Sequence, residues 1–257
     1  MLSPILITKL AHDAGFDLEV GQTGDWLTFG VPGQSIRVWM RAEGDGTVVA
    51  LPRVDVLREL EPGIQWNGSL PEFAVGGRFA ESPDTVIAML ARARVLDRTL
   101  PQALLHKYQA VVANIESTEA LGLVQQRRGQ TLFRRGLMDY WQGRCVITGM
   151  DLPELLRASH AKPWKDSTDA ERLDVHNGLL LVAHLDVAFD QGLITVADDG
   201  LVVVSPLVHS QARAVLGLVN PLTARNLKSG HLHYLAWHRA EVFQTGASSF
   251  LSCKNKI

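Results

Sequence analysis

The chain is poor in cysteine. Cys145 and Cys253 are its only two in 257 residues, and neither belongs to a CxxC pair. That argues against a structural zinc site of the two-knuckle type and against a disulfide framework, and it points to a reducing compartment. Long hydrophobic runs are lacking too. No segment approaches the roughly 20 apolar residues of a membrane span, and Lys9, His12 and Asp13 break up the N-terminus before a leader could form. The expectation is a cytoplasmic protein with no membrane partner. Nor is there a surplus of positive charge: 25 Lys and Arg against 27 Asp and Glu leave a net charge of −2. A protein that coats nucleic acid nonspecifically carries a basic balance. Any phosphate-binding surface here must come from local clusters, such as Arg127, Arg128, Arg134 and Arg135. Repeats and low-complexity tracts are absent.

What the chain does have is apolar content: 46% hydrophobic and 20% charged residues, enough for a sizeable core in one large domain or two modest ones. Ser3-Pro4 reads as an N-cap with proline in the first turn, and Gly15 as a stop, so a short helix opens the chain. Strand-like runs follow at 16–20, 26–31, 36–41 and 47–51, separated by Gly- and Pro-containing turns. A small, mainly antiparallel sheet fits them. Residues 61–82 are rich in Gly and Pro and give no clear assignment. From Ser82-Pro83-Asp84 onward, Val86, Met89, Leu90, Ala93 and Leu96 recur at helical spacing up to the break at Pro101.

Two more helices are expected at 102–115 and 119–141, with Leu121, Val124, Leu132, Leu137 and Trp141 as the buried side of the second. Short elements come next: strands at 145–148, 155–160 and 179–182, a helix from 183 to 191 ended by Gly192, a hairpin from 193–196 and 201–204, and an amphipathic helix at 232–243. The fold class is therefore α+β. The expected division is a recognition domain over 1–100, a helical linker over 101–118 and a catalytic domain over 119–257.

An ordered trio carries the chemistry: His160 closing one apolar run, Asn177-Gly178 opening the next, and His184-Leu185-Asp186 just beyond. Phosphodiester hydrolysis needs a water made nucleophilic, a cation to offset charge on the phosphate and leaving oxygen, and a geometry that holds them in line. A neutral imidazole suits the base, provided its ring is held in one orientation. A cation such as Mg2+ prefers oxygen ligands and keeps several waters, so one or two protein ligands suffice.

At these residues the chain resembles the HNH endonucleases and their ββα-metal finger. The resemblance rests on Arg144-Cys145-Val146-Ile147-Thr148-Gly149, Ala158-Ser159-His160-Ala161-Lys162-Pro163-Trp164, Asn177-Gly178-Leu179-Leu180-Leu181 and Phe189-Asp190-Gln191-Gly192-Leu193-Ile194. These look like one branch of the family, common among bacterial restriction-type nucleases. The run from Gln126 to Arg134 looks like the helix that precedes that module. The likeness covers about 120–245. It implies that His160 is the general base and that Asn177 fixes the loop and helps to orient it. Asp186 stands where the family places a metal ligand, more often His or Asn, and His184 is either a further ligand, a phosphate contact or a plain helix-start residue. Ser159 departs from the pattern, which usually has Asp or His there. The implied cofactor is a divalent ion, Mg2+ with Mn2+ able to substitute. The implied substrate is double-stranded DNA, in a modified form on a restriction or defence reading, contacted at phosphates by Arg127, Arg128, Arg134, Arg135 and Lys162. Double-strand cutting by one finger per chain favours a homodimer.

Plainer readings apply to the remaining candidates. His231, His233 and His238 do not converge and are expected on a solvated helix face. Asp190 is expected to face solvent, and Cys145 to be a small buried hydrophobe. Trp26, Trp39, Trp66 and Trp141 read as core or half-buried, although an aromatic in a reading pocket has the same signature. Two functions compete with DNA cleavage: a catalytically silent nucleic-acid-binding protein, and a toxin-type nuclease acting on RNA.

Overall fold

The computed structural model describes residues 3–112 and 119–246, the side chains of 112 and 119–125 excepted. Cys253 and the side chains of Leu121 and Val124 lie outside the described residues. The chain divides into two compact units, 1–100 and 101–257, and is mixed α+β.

The first unit opens with α1 (Pro4–Asp13), where the Ser3 hydroxyl accepts from the Leu6 amide at 3.3 Å. Four strands follow: β1 (Leu18–Thr23), β2 (Trp26–Gly30), β3 (Arg37–Glu43) and β4 (Gly46–Leu51). The first starts later than expected and continues through Gly21, because a bulge between Glu19 and Gly21 carries it on to the turn at Gly24. After α2 (Val54–Glu59), the unassigned stretch contains β5 (Ile64–Trp66) and β6 (Gly76–Ala80). Gly76-Gly77 hid the second of these, since a strand without side chains shows no alternation. The six strands form one antiparallel sheet in the order β1-β2-β3-β4-β6-β5. The unit closes with α3 (Pro83–Thr99), capped by Ser82. Phe29, Val38, Met40, Val49 and Leu51 alternate onto the face that meets Leu10, Leu90 and Leu96 of the helices, and all eight side chains are buried. The other face carries Trp26, Val48 and Ala50, with Trp39, Trp66 and Phe79 packed on them.

The second unit starts with α4 (Pro101–Val112), which was expected to be a linker. It packs on the next helix, α5 (Glu119–Tyr140), and buries Leu104 and Tyr108. The stretch 145–148 was expected as a strand and is a turn instead, closed by bonds from the Cys145 amide to the Met150 carbonyl (2.8 Å) and from Gly149 back to Cys145 (2.8 Å). Cys145 is buried, as expected for a small hydrophobe. Then come β7 (Leu156–His160), the one-turn α6 (Asp169–Arg172) and β8 (Gly178–Val182). They are followed by α7 (Ala183–Asp190), the hairpin β9 (Ile194–Val196) and β10 (Val202–Val204), α8 (Ser210–Val215) and α9 (Ser229–Glu241). The β7–β8 hairpin is the centre of this unit: α5 and α7 both pack against its two strands. No helix among the described residues is long and apolar enough to cross a membrane.

Candidate functional site

The strands β7 and β8 pair antiparallel, with Ser159 opposite Leu179 and His160 opposite Gly178. Gly178 is where α5 meets the hairpin. A Cβ there would lie 2.5 Å from Phe133 Cζ and 2.7 Å from Leu137 Cδ1, so only glycine lets the helix close onto the strand end. The Trp141 indole nitrogen donates to the Gly178 carbonyl at 3.3 Å and fixes that approach.

This contact places Phe133 against His160. The two rings stack with centroids 3.7 Å apart and planes 13° from parallel, while the Trp164 ring meets the imidazole edge-on at 5.8 Å. His160 Nε2 lies 3.0 Å from the backbone carbonyl of Arg172. A carbonyl can only accept, so Nε2 carries the proton and Nδ1 holds the lone pair. Burial pushes the imidazole down to about 4 and the nearby Arg172 guanidinium adds to this, although the carbonyl bond acts the other way. The ring is therefore neutral at pH 7 and held in one orientation.

Asn177 is buried, and its side chain clamps the loop between the two strands. Its oxygen accepts from the Lys162 amide (2.8 Å), and its nitrogen donates to the carbonyls of Lys162 (3.1 Å) and Glu171 (3.0 Å). The backbone adds a bond from the Ala161 amide to the Asn177 carbonyl at 3.0 Å. Since Arg172 follows Glu171, the clamp also sets the carbonyl that orients His160. The 3-10 turn at 175–177 is held in turn by Asp174: one oxygen accepts from the His176 amide at 2.8 Å, and the other accepts from the Tyr234 hydroxyl of α9 at 3.0 Å. Burial and that carboxylate push the phenol up from its ordinary value.

Across the strand from His160, the buried Ser159 hydroxyl donates to Asp186 Oδ1. Successive residues on a strand face opposite ways. The imidazole and the Ser159–Asp186 pair therefore flank the last rungs of β7 from two sides. Asp190, one turn further along α7, joins the carboxylate side. Its pKa is pushed up to about 6, first by desolvation and then by the Asp186 charge, with Ser159 partly opposing this. Asp190 is exposed, as expected, and its carboxyl lies near enough to Asp186 and Ser159 to feel both.

The other anticipated residues are placed as follows. His184 is exposed on α7, two residues before Asp186, and so turned about 200° around the helix from it. Arg127, Arg128 and Arg135 are exposed on α5. Arg134 donates to the carbonyls of Leu156 (2.7 Å) and Pro153 (3.1 Å), which braces the start of β7. Lys162 pairs with Glu171 at 2.6 Å. Among the described residues, no three or more His, Cys, Asp or Glu side chains are grouped to hold a metal ion. Asp186, Asp190 and Ser159, all oxygen donors, lie near one another beside the end of β7.

The expected solvated face of α9 is a correction. His231 and His238 are buried, with Tyr234 and Leu235 between them at spacings of three, four and seven. That stripe is present in the sequence and marks a packed face. His238 bonds to Thr195 Oγ1 (2.9 Å) and the Phe189 carbonyl (3.0 Å), and its ring lies on the Phe189 ring at 3.8 Å. His231 accepts from the Lys228 amide at 3.0 Å, beside the rings of Tyr140, Trp141 and His176. Only His233 stays exposed.

Residues 145–197 match the family model described as HNH endonuclease. No curated protein matches the chain. The C-terminal half therefore carries an HNH endonuclease domain, which supports nuclease activity on nucleic acid. The matched segment runs from the Cys145 turn to β9 and contains His160, Asn177, Asp186 and Asp190.

Proposed function

We propose that this HNH domain hydrolyses the phosphodiester backbone of double-stranded DNA, with His160 as the general base. The observation that carries the reading is the orientation of that ring. The Arg172 carbonyl fixes the tautomer, Phe133 fixes the plane, and burial keeps the ring unprotonated. In-line displacement needs the attacking water and the departing oxygen on opposite sides of phosphorus. A phosphodiester laid across the end of β7 has the imidazole on one side and the carboxylates on the other. His160 Nδ1 takes the proton of the attacking water, and the growing negative charge of the phosphate raises the affinity of the imidazole for it. Asn177 keeps the base loop from shifting as charge builds.

HNH nucleases generally use a divalent metal ion. Asp186, Asp190 and Ser159 present only hard oxygen donors, and the carboxyl of Asp190, raised first by desolvation and then by the Asp186 charge, is one that a cation would hold ionised. Mg2+ keeps several waters and takes such a set, with Mn2+ as its substitute. When bound, the ion neutralises charge on the phosphate and the departing 3′ oxygen. The products then carry 5′-phosphate and 3′-hydroxyl ends. Arg127, Arg128 and Arg135 are exposed on α5 and would serve for backbone contact.

The separate N-terminal sheet unit supports a restriction or defence role in which that unit selects the DNA, including a modified form, and a homodimer cuts both strands. Plasmid cleavage in Mg2+ or Mn2+ tests the central claim: activity of the wild type and its loss in His160→Ala are expected. Equal cutting by both would overturn it, and binding without scission would leave the silent-protein reading. Plain against modified DNA, and RNA against duplex DNA, resolve the substrate.

A further inference from the structure

Beside the base lies an open cleft of about 750 Å3 that the hydrolytic reading does not use, lined by Tyr108, Gln126, Trp164, Lys165, Asp169 and Arg172. Two aromatic rings form its walls, and Gly129 of α5 lets them close in. A Cβ at 129 would come within 2.5 Å of Trp164 Cη2 and 3.4 Å of Tyr108 Cε2, so both rings approach the same point on the helix. Trp164 is held from behind. The Arg172 guanidinium lies 5.1 Å from its ring centroid and donates from Nε to the Trp164 carbonyl at 2.8 Å. The same guanidinium donates to Asp169 Oδ1 at 2.9 Å, which leaves the second carboxylate oxygen of Asp169 and the amide of Gln126 on the rim. Lys165 is exposed and has no carboxylate partner among the described residues.

We infer that this cleft receives an unstacked nucleobase of the substrate strand, next to the phosphate being cut. The inference rests on the nuclease reading above. The chemistry of the lining matches a nucleotide: aromatic faces for the base, an amide and a carboxylate oxygen for its polar edge, and an unpaired ammonium for its phosphate. The position matches as well. Trp164 touches the edge of His160, and the residue whose carbonyl orients His160 also supplies the guanidinium behind Trp164. A base stacked inside a duplex cannot reach a side cleft of this kind without leaving the helix. The site therefore selects strands in which one nucleotide is unpaired or extruded, and it couples occupancy of the cleft to the position of the base.

Full-length protein without metal, mixed with oligonucleotides carrying one 5-iodouracil, tests this by photo-cross-linking and peptide mapping. The three arms place that base in a bulge, in a single strand and in a perfect duplex. Cross-links at Trp164 or Tyr108 are expected in the first two arms. The tighter of these identifies the source of the unstacked base, and a cross-link in the third arm means that the protein extrudes the base itself. Trp164→Ala and Tyr108→Leu, made separately so that a folding defect in one does not decide the matter, should each weaken binding of the bulged strand by about tenfold. Lys165→Ala should weaken the bulged and single-stranded arms more than the perfect duplex. Cross-links mapping only elsewhere, or unchanged affinity in both aromatic variants, would overturn the inference. Plasmid cleavage by the wild type is scored separately. Cleavage without these cross-links removes the cleft and leaves the nuclease, while cross-links without cleavage do the reverse.

Discussion

The imidazole of His160 lies flat on the Phe133 ring, 3.7 Å between centroids, and so a residue of α5 sets the plane of the proposed base. The helix earns that position through Gly178, whose bare backbone it touches. Orientation of the His160 ring is a packing outcome as much as a hydrogen-bonding one.

Phe133→Leu keeps the core filled but removes the stack. It should lower kcat by about tenfold or more with little change in KM, because the ring loses its plane while the exposed arginines proposed for backbone contact are untouched. Phe133→Ala should in addition destabilise the second unit by about 3–5 kcal/mol, read by urea denaturation.

Asn177→Ala should release the loop between β7 and β8. Three backbone groups lose a bond at once; the Lys162 carbonyl keeps the Ser167 hydroxyl and the Glu171 carbonyl keeps the Asp174 amide, so the Lys162 amide is the group left unsatisfied, at a cost of about 1–3 kcal/mol. Faster amide hydrogen exchange at Lys162 is the specific signature, together with lost cleavage.

Asp190→Asn tests the carboxylate pair. If both carboxylates serve one ion, the Mg2+ concentration for half-maximal cleavage should rise roughly tenfold to a hundredfold, with wild-type rates restored at high metal. Unchanged metal dependence would leave Asp186 as the working carboxylate.

The buried His238 has a consequence for stability. Burial pushes its pKa down to about 4, against an ordinary value of 6.5, and the Phe189 carbonyl only partly opposes this. Between those values the unfolded chain binds a proton that the folded one refuses. Stability is therefore fully present above pH 6.5 and is lost as pH falls toward 4, by about 3 kcal/mol from this residue. Urea titrations at pH 7 and pH 5 should show the decline, and His238→Gln should flatten it.

Legibility in the sequence followed local pattern. Strands β2 to β4 announce themselves by β-branched and aromatic runs between turn residues, and α3 by its periodic Val86, Met89, Leu90 and Ala93 with Ser82-Pro83 in front. His160, Asn177 and Asp186 stand out in the sequence because their order and spacing fit one hydrolytic device. What was hidden depends on tertiary neighbours. Nothing local distinguishes Asp190 from a solvated helix residue until α7 is laid beside Ser159. Phe133 lies 27 positions before His160, and only helix packing brings them together. The turn at 145–148 shows the same thing in reverse: an apolar Cys-Val-Ile run looks like a strand but is buried without a ladder. The histidines of α9 were misjudged on side-chain type, although their spacing with Tyr234 and Leu235 already described a buried stripe.

The bond from the Tyr234 hydroxyl to Asp174 makes the last described helix a retaining pin for the turn that bears Asn177. No atom of that helix need approach DNA for this to matter. Tyr234→Phe, which removes only that hydroxyl, would loosen the turn while every proposed reacting group stayed in place, so a helix outside the hairpin acts as a safety catch on it.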